Sequence, residues 1–212
     1  MKWRLAAASA LLLAACSQST VPHNTGVYLL IDTSGTYNRE VRKAEQIVLF
    51  VLGKMGPTDS FAVARIDTAS FTERNIIAKA TFDDRPSTTN KQKRSFAGQV
   101  QKFSDDSFAS PYTDITGGVL QAIEFLNEKQ PGRKEILIFS DMKEDLAQGY
   151  VRDLPLDLKG FDVVALNVTK LRTDNVDPRE YLTRLDQWRS RVEAGGGRWR
   201  VINDLEHLDA LL

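Results

Sequence analysis

Three short segments of this 212-residue chain place oxygen-bearing side chains where chemistry is possible. Asp32-Thr33-Ser34-Gly35-Thr36 offers a carboxylate and three hydroxyls within five residues, directly after an apolar run, with Gly35 permitting a tight turn. Hydroxyl and carboxylate oxygens at alternate positions of one loop can point the same way, a donor set suited to a hard divalent cation. Taken alone, Ser34 and Thr36 serve equally well as helix and turn caps. The second segment is Tyr112-Thr113-Asp114-Ile115-Thr116-Gly117-Gly118, in which Thr113, Asp114 and Thr116 by themselves read as caps of a following helix. The third is Asp141, a carboxylate closing the apolar run 135–140. Two carboxylates brought together without a partner repel and raise a pKa, and a cation resolves that conflict. Little else in the chain competes. One Cys excludes internal disulfides and multi-Cys zinc or iron–sulfur sites. Of the two His, His23 falls in a polar N-terminal stretch and His207 in the last expected helix, where it reads as a surface residue. No nucleophile paired with a base and no cofactor loop is visible.

The elements that must position these residues follow from hydrophobic spacing. Residues 27–32 form a continuous apolar run ending in Asp32, as expected of a strand buried on both faces. Val41, Ala44, Ile47, Val48, Val51, Leu52 and Met55 recur at threes and fours and predict a helix ended by Gly56-Pro57. Residues 60–71 and 75–82 are β-rich and predict a hairpin across the polar residues 72–74. Residues 87–103 are charged with sparse apolar positions, predicting a partly exposed helix whose Lys91, Lys93 and Arg94 form a solvated face. Val119, Leu120, Ile123 and Leu126 mark another helix, ended by Pro131-Gly132, and 135–141 and 162–168 are two further apolar strands. Pro178 opens a helix carrying Tyr181, Leu182, Leu185, Trp188 and Val192 on one side. Gly195 to Gly197 close it, 198–203 is a last strand and 205–212 a short terminal helix. The expected fold is therefore α/β: a doubly wound, mostly parallel sheet with helices on both faces and one antiparallel edge hairpin, without a 20–50-residue repeat. In such sheets ligands bind beyond the carboxyl ends of the strands, where the strand order reverses, which directs attention to Asp32 and Asp141.

At this point the sequence resembles the von Willebrand factor A family, over most of residues 27–203 in motif order and strand–helix alternation. That family's metal-ion-dependent adhesion site combines an Asp-x-Ser-x-Ser loop after the first strand, a Thr in a later loop and an Asp after the fourth strand. Asp32, Ser34 and Thr36 match the loop, Thr113 the Thr and Asp141 the last Asp. Thr36 stands where Ser is usual, and Ser140-Asp141-Met142 where Thr-Asp-Gly is usual. The resemblance implies a Mg²⁺ site, with Mn²⁺ or Ca²⁺ served by the same oxygens, whose open position accepts an acidic residue from a partner protein. It implies binding, not catalysis. Two other readings compete. A haloacid-dehalogenase-like phosphatase would also begin with an apolar strand and Asp32, but Ser34 replaces the second Asp, its general acid. A lipoprotein scaffold with an unused metal site would bind through another surface.

The N-terminus assigns the lone Cys. Lys2 and Arg4 precede eleven residues of Leu, Ala and Ser, too short to span a bilayer comfortably, and then Cys16. Leu13-Ala14-Ala15-Cys16 resembles the bacterial lipobox, in which the signal is removed and the Cys is acylated. Residues 1–15 are therefore expected to be a lipoprotein signal peptide, 16–25 the lipidated Cys and a polar tether, and 26–212 the folded domain. A tether of that length, at about 3.3–3.6 Å per residue, keeps the domain within a few nanometres of the membrane. Ser17 lacks the Asp that resemblance associates with inner-membrane retention, so the periplasmic face of the outer membrane is the expected location. With 28 basic and 28 acidic residues, the chain has no electrostatic footprint for nucleic acid.

Overall fold

The apolar run ending in Asp32 forms β1 (Thr25–Asp32), and in the computed structural model it lies near the middle of a six-stranded sheet. The structure describes residues 22–35, 37, 40–105, 109–204 and 211. Thr36, Cys16, the signal region and the expected terminal helix with His207 lie outside those residues, apart from Leu211. The remaining strands are β2 (Ser60–Ile66), β3 (Ile76–Thr81), β4 (Arg133–Phe139), β5 (Phe161–Leu166) and β6 (Arg198–Ile202), in the order β3-β2-β1-β4-β5-β6. Only the β2–β3 pair is antiparallel. The chain runs outward from β1 to one edge and returns to β4 on β1's other side, so the switch point lies between β1 and β4.

Alternation of side chains along each strand divides the core in two. Val27, Leu29 and Ile31 face α1 (Val41–Lys54) and α2 (Pro86–Asp105), with Phe96 and Val100 of α2 buried there. Tyr28 and Leu30 face α3 (Ile115–Lys129) and α4 (Pro178–Ala194). Burial on both faces explains why β1 and β4 are apolar without alternation. Two local departures from the sequence reading have physical causes. β2 stops at Ile66, not near residue 71, because Asp67 leaves the ladder. Its carboxylate accepts from the Thr68 N–H at 2.7 Å, and the Ser70 hydroxyl accepts from the Asp67 N–H at 3.0 Å. Such local side-chain bonds offer the backbone an alternative to pairing. The second departure is the β4–β5 crossover, where residues 140–160 form neither helix nor strand. Leu156 and Leu158 of that segment are buried in the core on the α3–α4 side.

Helix α3 is held close to β1. A Cβ on Gly118 would sit 2.9 Å from Leu30 Cδ2, so a side chain there would force Leu30 to shift. That closeness fixes the helix start, and with it Thr113.

Candidate functional site

The sheet register places the first contact of the site. Ile31 pairs with Phe139, so Asp32 and Ser140 emerge side by side at the carboxyl ends of β1 and β4. The Ser140 hydroxyl donates to Asp32 Oδ2 at 2.6 Å, and the Ser34 N–H donates to Asp32 Oδ1 at 2.8 Å, turning the chain back over the carboxylate. Next to it Asp141 accepts from the Lys143 N–H at 2.9 Å. Both carboxyls are buried, and neither has a salt-bridge partner among the described residues. Burial raises the Asp32 pKa against the lowering effect of its hydrogen bonds. Asp141 is pushed up to about 6, first by burial and then by the neighbouring Asp32 charge, which outweigh its backbone bond and the positive charges of Arg184 and Lys143. This is the conflict expected of two desolvated like charges.

The Thr113 loop reaches the same place by backbone pairing. The Ser110 N–H donates to the Thr33 carbonyl at 3.0 Å, and Ser34 and Ser110 form an isolated parallel bridge. Thr113 forms an isolated antiparallel bridge with Asp145, with bonds of 2.7 and 3.0 Å. Its hydroxyl has no hydrogen-bond partner among the described residues, while Asp114 and Thr116 are committed elsewhere. Asp114 caps α3 through the Gly117 N–H at 2.8 Å, accepts from the Ser70 N–H at 2.9 Å and is gripped by the Arg152 guanidinium. Thr116 bonds the Glu144 carboxylate through its N–H and its hydroxyl, at 2.6 and 2.9 Å.

Ser34, Ser110, Thr113 and Asp141 line one open cleft of about 470 Å³, with Lys143, Asp145 and Arg172 also at its wall. The structure thus gathers Ser34, Thr113 and Asp141, with Asp32 hydrogen-bonded to Ser34 just below. Thr36 lies outside the described residues. Among the described residues no three or more His, Cys, Asp or Glu side chains converge as a metal cluster. The donor set here is two carboxylates and hydroxyls, and two unneutralised buried carboxyls beside a Thr hydroxyl with no described partner fit a hard divalent cation. Two contributors escape the sequence reading, and a third, Ser140, enters it only as a departure from the usual Thr of the motif, although strand-end register makes it Asp32's neighbour. Glu144 and Arg152 sit in a segment with no periodicity to flag them.

No family model matches the sequence, and no curated protein matches it. Solved structures do match by shape. A von Willebrand factor type A protein from Catenulispora acidiphila superposes with a TM-score of 0.55 at 15% identity, covering 89% of this chain and 41% of that one. The chain has the von Willebrand factor A fold. The pilus adhesin SpaC from Lactobacillus rhamnosus GG shares this fold at TM-score 0.58 and 12% identity, over 92% of this chain and 29% of SpaC. BatB from Bacteroides thetaiotaomicron matches at TM-score 0.51 and 14% identity, over 89% of this chain and 95% of BatB. The chain therefore spans well under half of the first two structures. Among its described helices none is long and apolar enough to cross a membrane.

Proposed function

We propose that this A-type domain is a non-enzymatic binding module, anchored to a bacterial envelope membrane through lipid on Cys16, that engages a partner protein through a divalent cation. Asp32, Ser34, Thr36, Thr113 and Asp141 would hold the cation, Mg²⁺ first, with Mn²⁺ or Ca²⁺ as alternatives of the same donor chemistry. The observation that carries the reading is the meeting of Ser34, Thr113 and Asp141 in one cleft beside the buried Asp32, which has no salt-bridge partner among the described residues. A bound cation supplies positive charge that relieves the repulsion of the two carboxyls and offers a coordination position to a partner's acidic side chain. The protein's own residues desolvate the carboxyls, orient Asp32 through Ser34 and Ser140, and fix Thr113 through its bridge to Asp145. Ser34 in place of a second Asp leaves no general acid for phosphoryl chemistry at that position. A pilus adhesin among the structures of this fold makes a binding role the natural starting point.

Calorimetric Mg²⁺ titration and thermal unfolding test the reading. A ligand held only by the folded state stabilises it by about 2.7 kcal/mol at a hundred times its Kd. Mg²⁺ should raise the Tm of the wild type and leave Asp32→Ala and Thr113→Ala unmoved, while both variants keep the wild-type circular dichroism. An equal response in all three proteins would overturn the assignment, as would none in the wild type. Metabolic labelling with palmitate, lost in Cys16→Ser, tests the anchor.

A further inference from the structure

The cleft above Asp141 does not end there. A second depression of about 680 Å³ runs along α4 and shares Lys143, Leu171 and Thr173 with the first, so the two adjoin and together offer one groove. Its wall on α4 extends from Arg179 to Arg191. At 1.5 Å per residue that is roughly 18 Å, which an extended peptide at about 3.3 Å per residue covers with five or six residues. The groove's cations divide sharply. Arg179 is bound to Asp177 at 2.8 Å, Arg184 to Asp174 at 2.9 Å and Arg191 to Glu144 at 3.5 Å. Lys143 and Arg172, exposed where the metal cleft opens into the groove, have no salt-bridge partner among the described residues. In and under the cleft, the three carboxylates of Asp32, Asp141 and Asp145 stand against these two cations. A divalent cation would turn that local balance from −1 to +1.

We infer that the groove is a docking track for an extended acidic peptide segment of the partner, carrying one carboxylate for the metal cleft and a second for Lys143 and Arg172. This rests on the proposed metal-dependent binding and extends it by naming the occupant's form and charge. Asp145, on the same wall, disfavours acidic residues on its side and thereby fixes where the second carboxylate sits. The ion-paired stretch along α4 presents no net cationic face, so the segment beyond the two carboxylates is polar and of mixed character.

The probe is a pair of fluorescein-labelled octapeptides of Gly and Ser, one with two Glu and one with a single Glu, titrated by anisotropy against the full chain in detergent. In millimolar Mg²⁺ the two-Glu peptide should bind at least tenfold more tightly than the single-Glu peptide. The double variant Lys143→Glu/Arg172→Glu should abolish that difference while Mg²⁺ binding, read by calorimetry, persists. Gln187→Trp, which fills the α4 groove away from the cleft, should weaken the octapeptide but not a two-Glu tripeptide. Equal affinity of the two peptides, or displacement of both by inorganic phosphate at equal concentration, overturns the inference. Failure of the metal reading appears separately, as no calorimetric Mg²⁺ signal. Binding of both peptides must then persist in EDTA and be lost in the charge-reversed variant, or the track is refuted as well.

Discussion

Arg152 lies in the helix-free crossover between β4 and β5, yet its guanidinium reaches the carboxylate at the head of α3, with Nε 3.0 and 3.1 Å and an Nη 2.8 Å from the Asp114 oxygens. Asp114 is fully buried and the Arg152 side chain is only 18% exposed. Arg152→Ala therefore strands a desolvated charge, not a surface ion pair. Removing one partner of a buried pair costs about 3–5 kcal/mol. Asp114 keeps its bonds from the Ser70 and Gly117 N–H groups, which sets the expected loss at the lower end, about 3 kcal/mol. For a domain of this size each kcal/mol lowers Tm by about 2–4 °C, so a fall of roughly 6–12 °C is expected. Urea unfolding at neutral pH, with the slope unchanged, gives the free energy directly. Neutralising the stranded group should help: Asp114→Asn in the Arg152→Ala background should recover stability relative to Arg152→Ala alone. A loss under about 1 kcal/mol, or a double variant less stable than the single, would refute the claim that this pair ties the crossover to the site-bearing helix.

Other outcomes can be checked with the same unfolding assays. Glu135 is fully buried on β4, its pKa raised from 4.5 to about 7 by burial despite the contact with Arg133. An acid with a raised folded pKa contributes stability that is lost as pH rises. Glu135 should contribute at most about 3 kcal/mol to the fall in unfolding free energy between pH 4.5 and just above 7, beside the contributions of Asp32 and Asp141. Glu135→Gln should reduce that dependence, and an unchanged pH profile would contradict it. Gly195 closes α4 with no room for a side chain, since a Cβ there would overlap the Leu156 carbonyl oxygen. Gly195→Ala should lower the Tm clearly, whereas Gly53→Ala, where a Cβ meets nothing within 4 Å, should leave it the same or slightly higher. Met142 holds a left-handed backbone with φ of 63° and a fully buried side chain. Met142→Gly relieves about 1 kcal/mol of strain but forfeits about 2–5 kcal/mol of core packing, so net destabilisation by urea unfolding is expected.

What could be read from the sequence followed from chemistry that repeats. The runs ending in Asp32 and Asp141 are apolar because two helical layers cover them, and that same cause makes them recognisable as central strands. Pro178 starts α4 one residue after its cap Asp177, and Gly118 permits the close approach of α3. The mixed edge was legible too, because two β-rich runs flank a polar turn. What could not be read were features set by single long-range contacts. Nothing in residues 140–160 is periodic, since that segment is held by Arg152 to Asp114, by Thr113 to Asp145 and by two buried leucines. Ser140 as Asp32's partner depends on strand register, which hydrophobicity does not specify when both faces are buried. The end of β2 was placed too late because Phe71 continues a β-like composition, while the hydrogen bonds of Asp67 and Ser70 decide the turn.

The replacement of the usual Gly by Met142 shows how the site's geometry survives a departure from the family's motif. A residue at this position must take a positive φ to turn the chain out of the sheet, which is why Gly is favoured there. In this chain the turn is held from three directions. The Ser140 hydroxyl accepts from the Met142 N–H at 3.0 Å, the Trp188 indole N–H donates to the Met142 carbonyl at 3.0 Å, and the Arg184 Nε–H donates to the Asp141 carbonyl at 2.9 Å. Two of those donors come from α4, so this helix fixes the segment that carries Asp141 as well as forming the groove wall. The strain of one non-Gly residue, about 1–2 kcal/mol, is small beside these bonds and the burial of the Met142 side chain. Ser140, where Thr is usual, then does double work, donating to Asp32 and accepting from Met142. A hydroxyl is indispensable at position 140 for that reason, and the methyl of Thr is not.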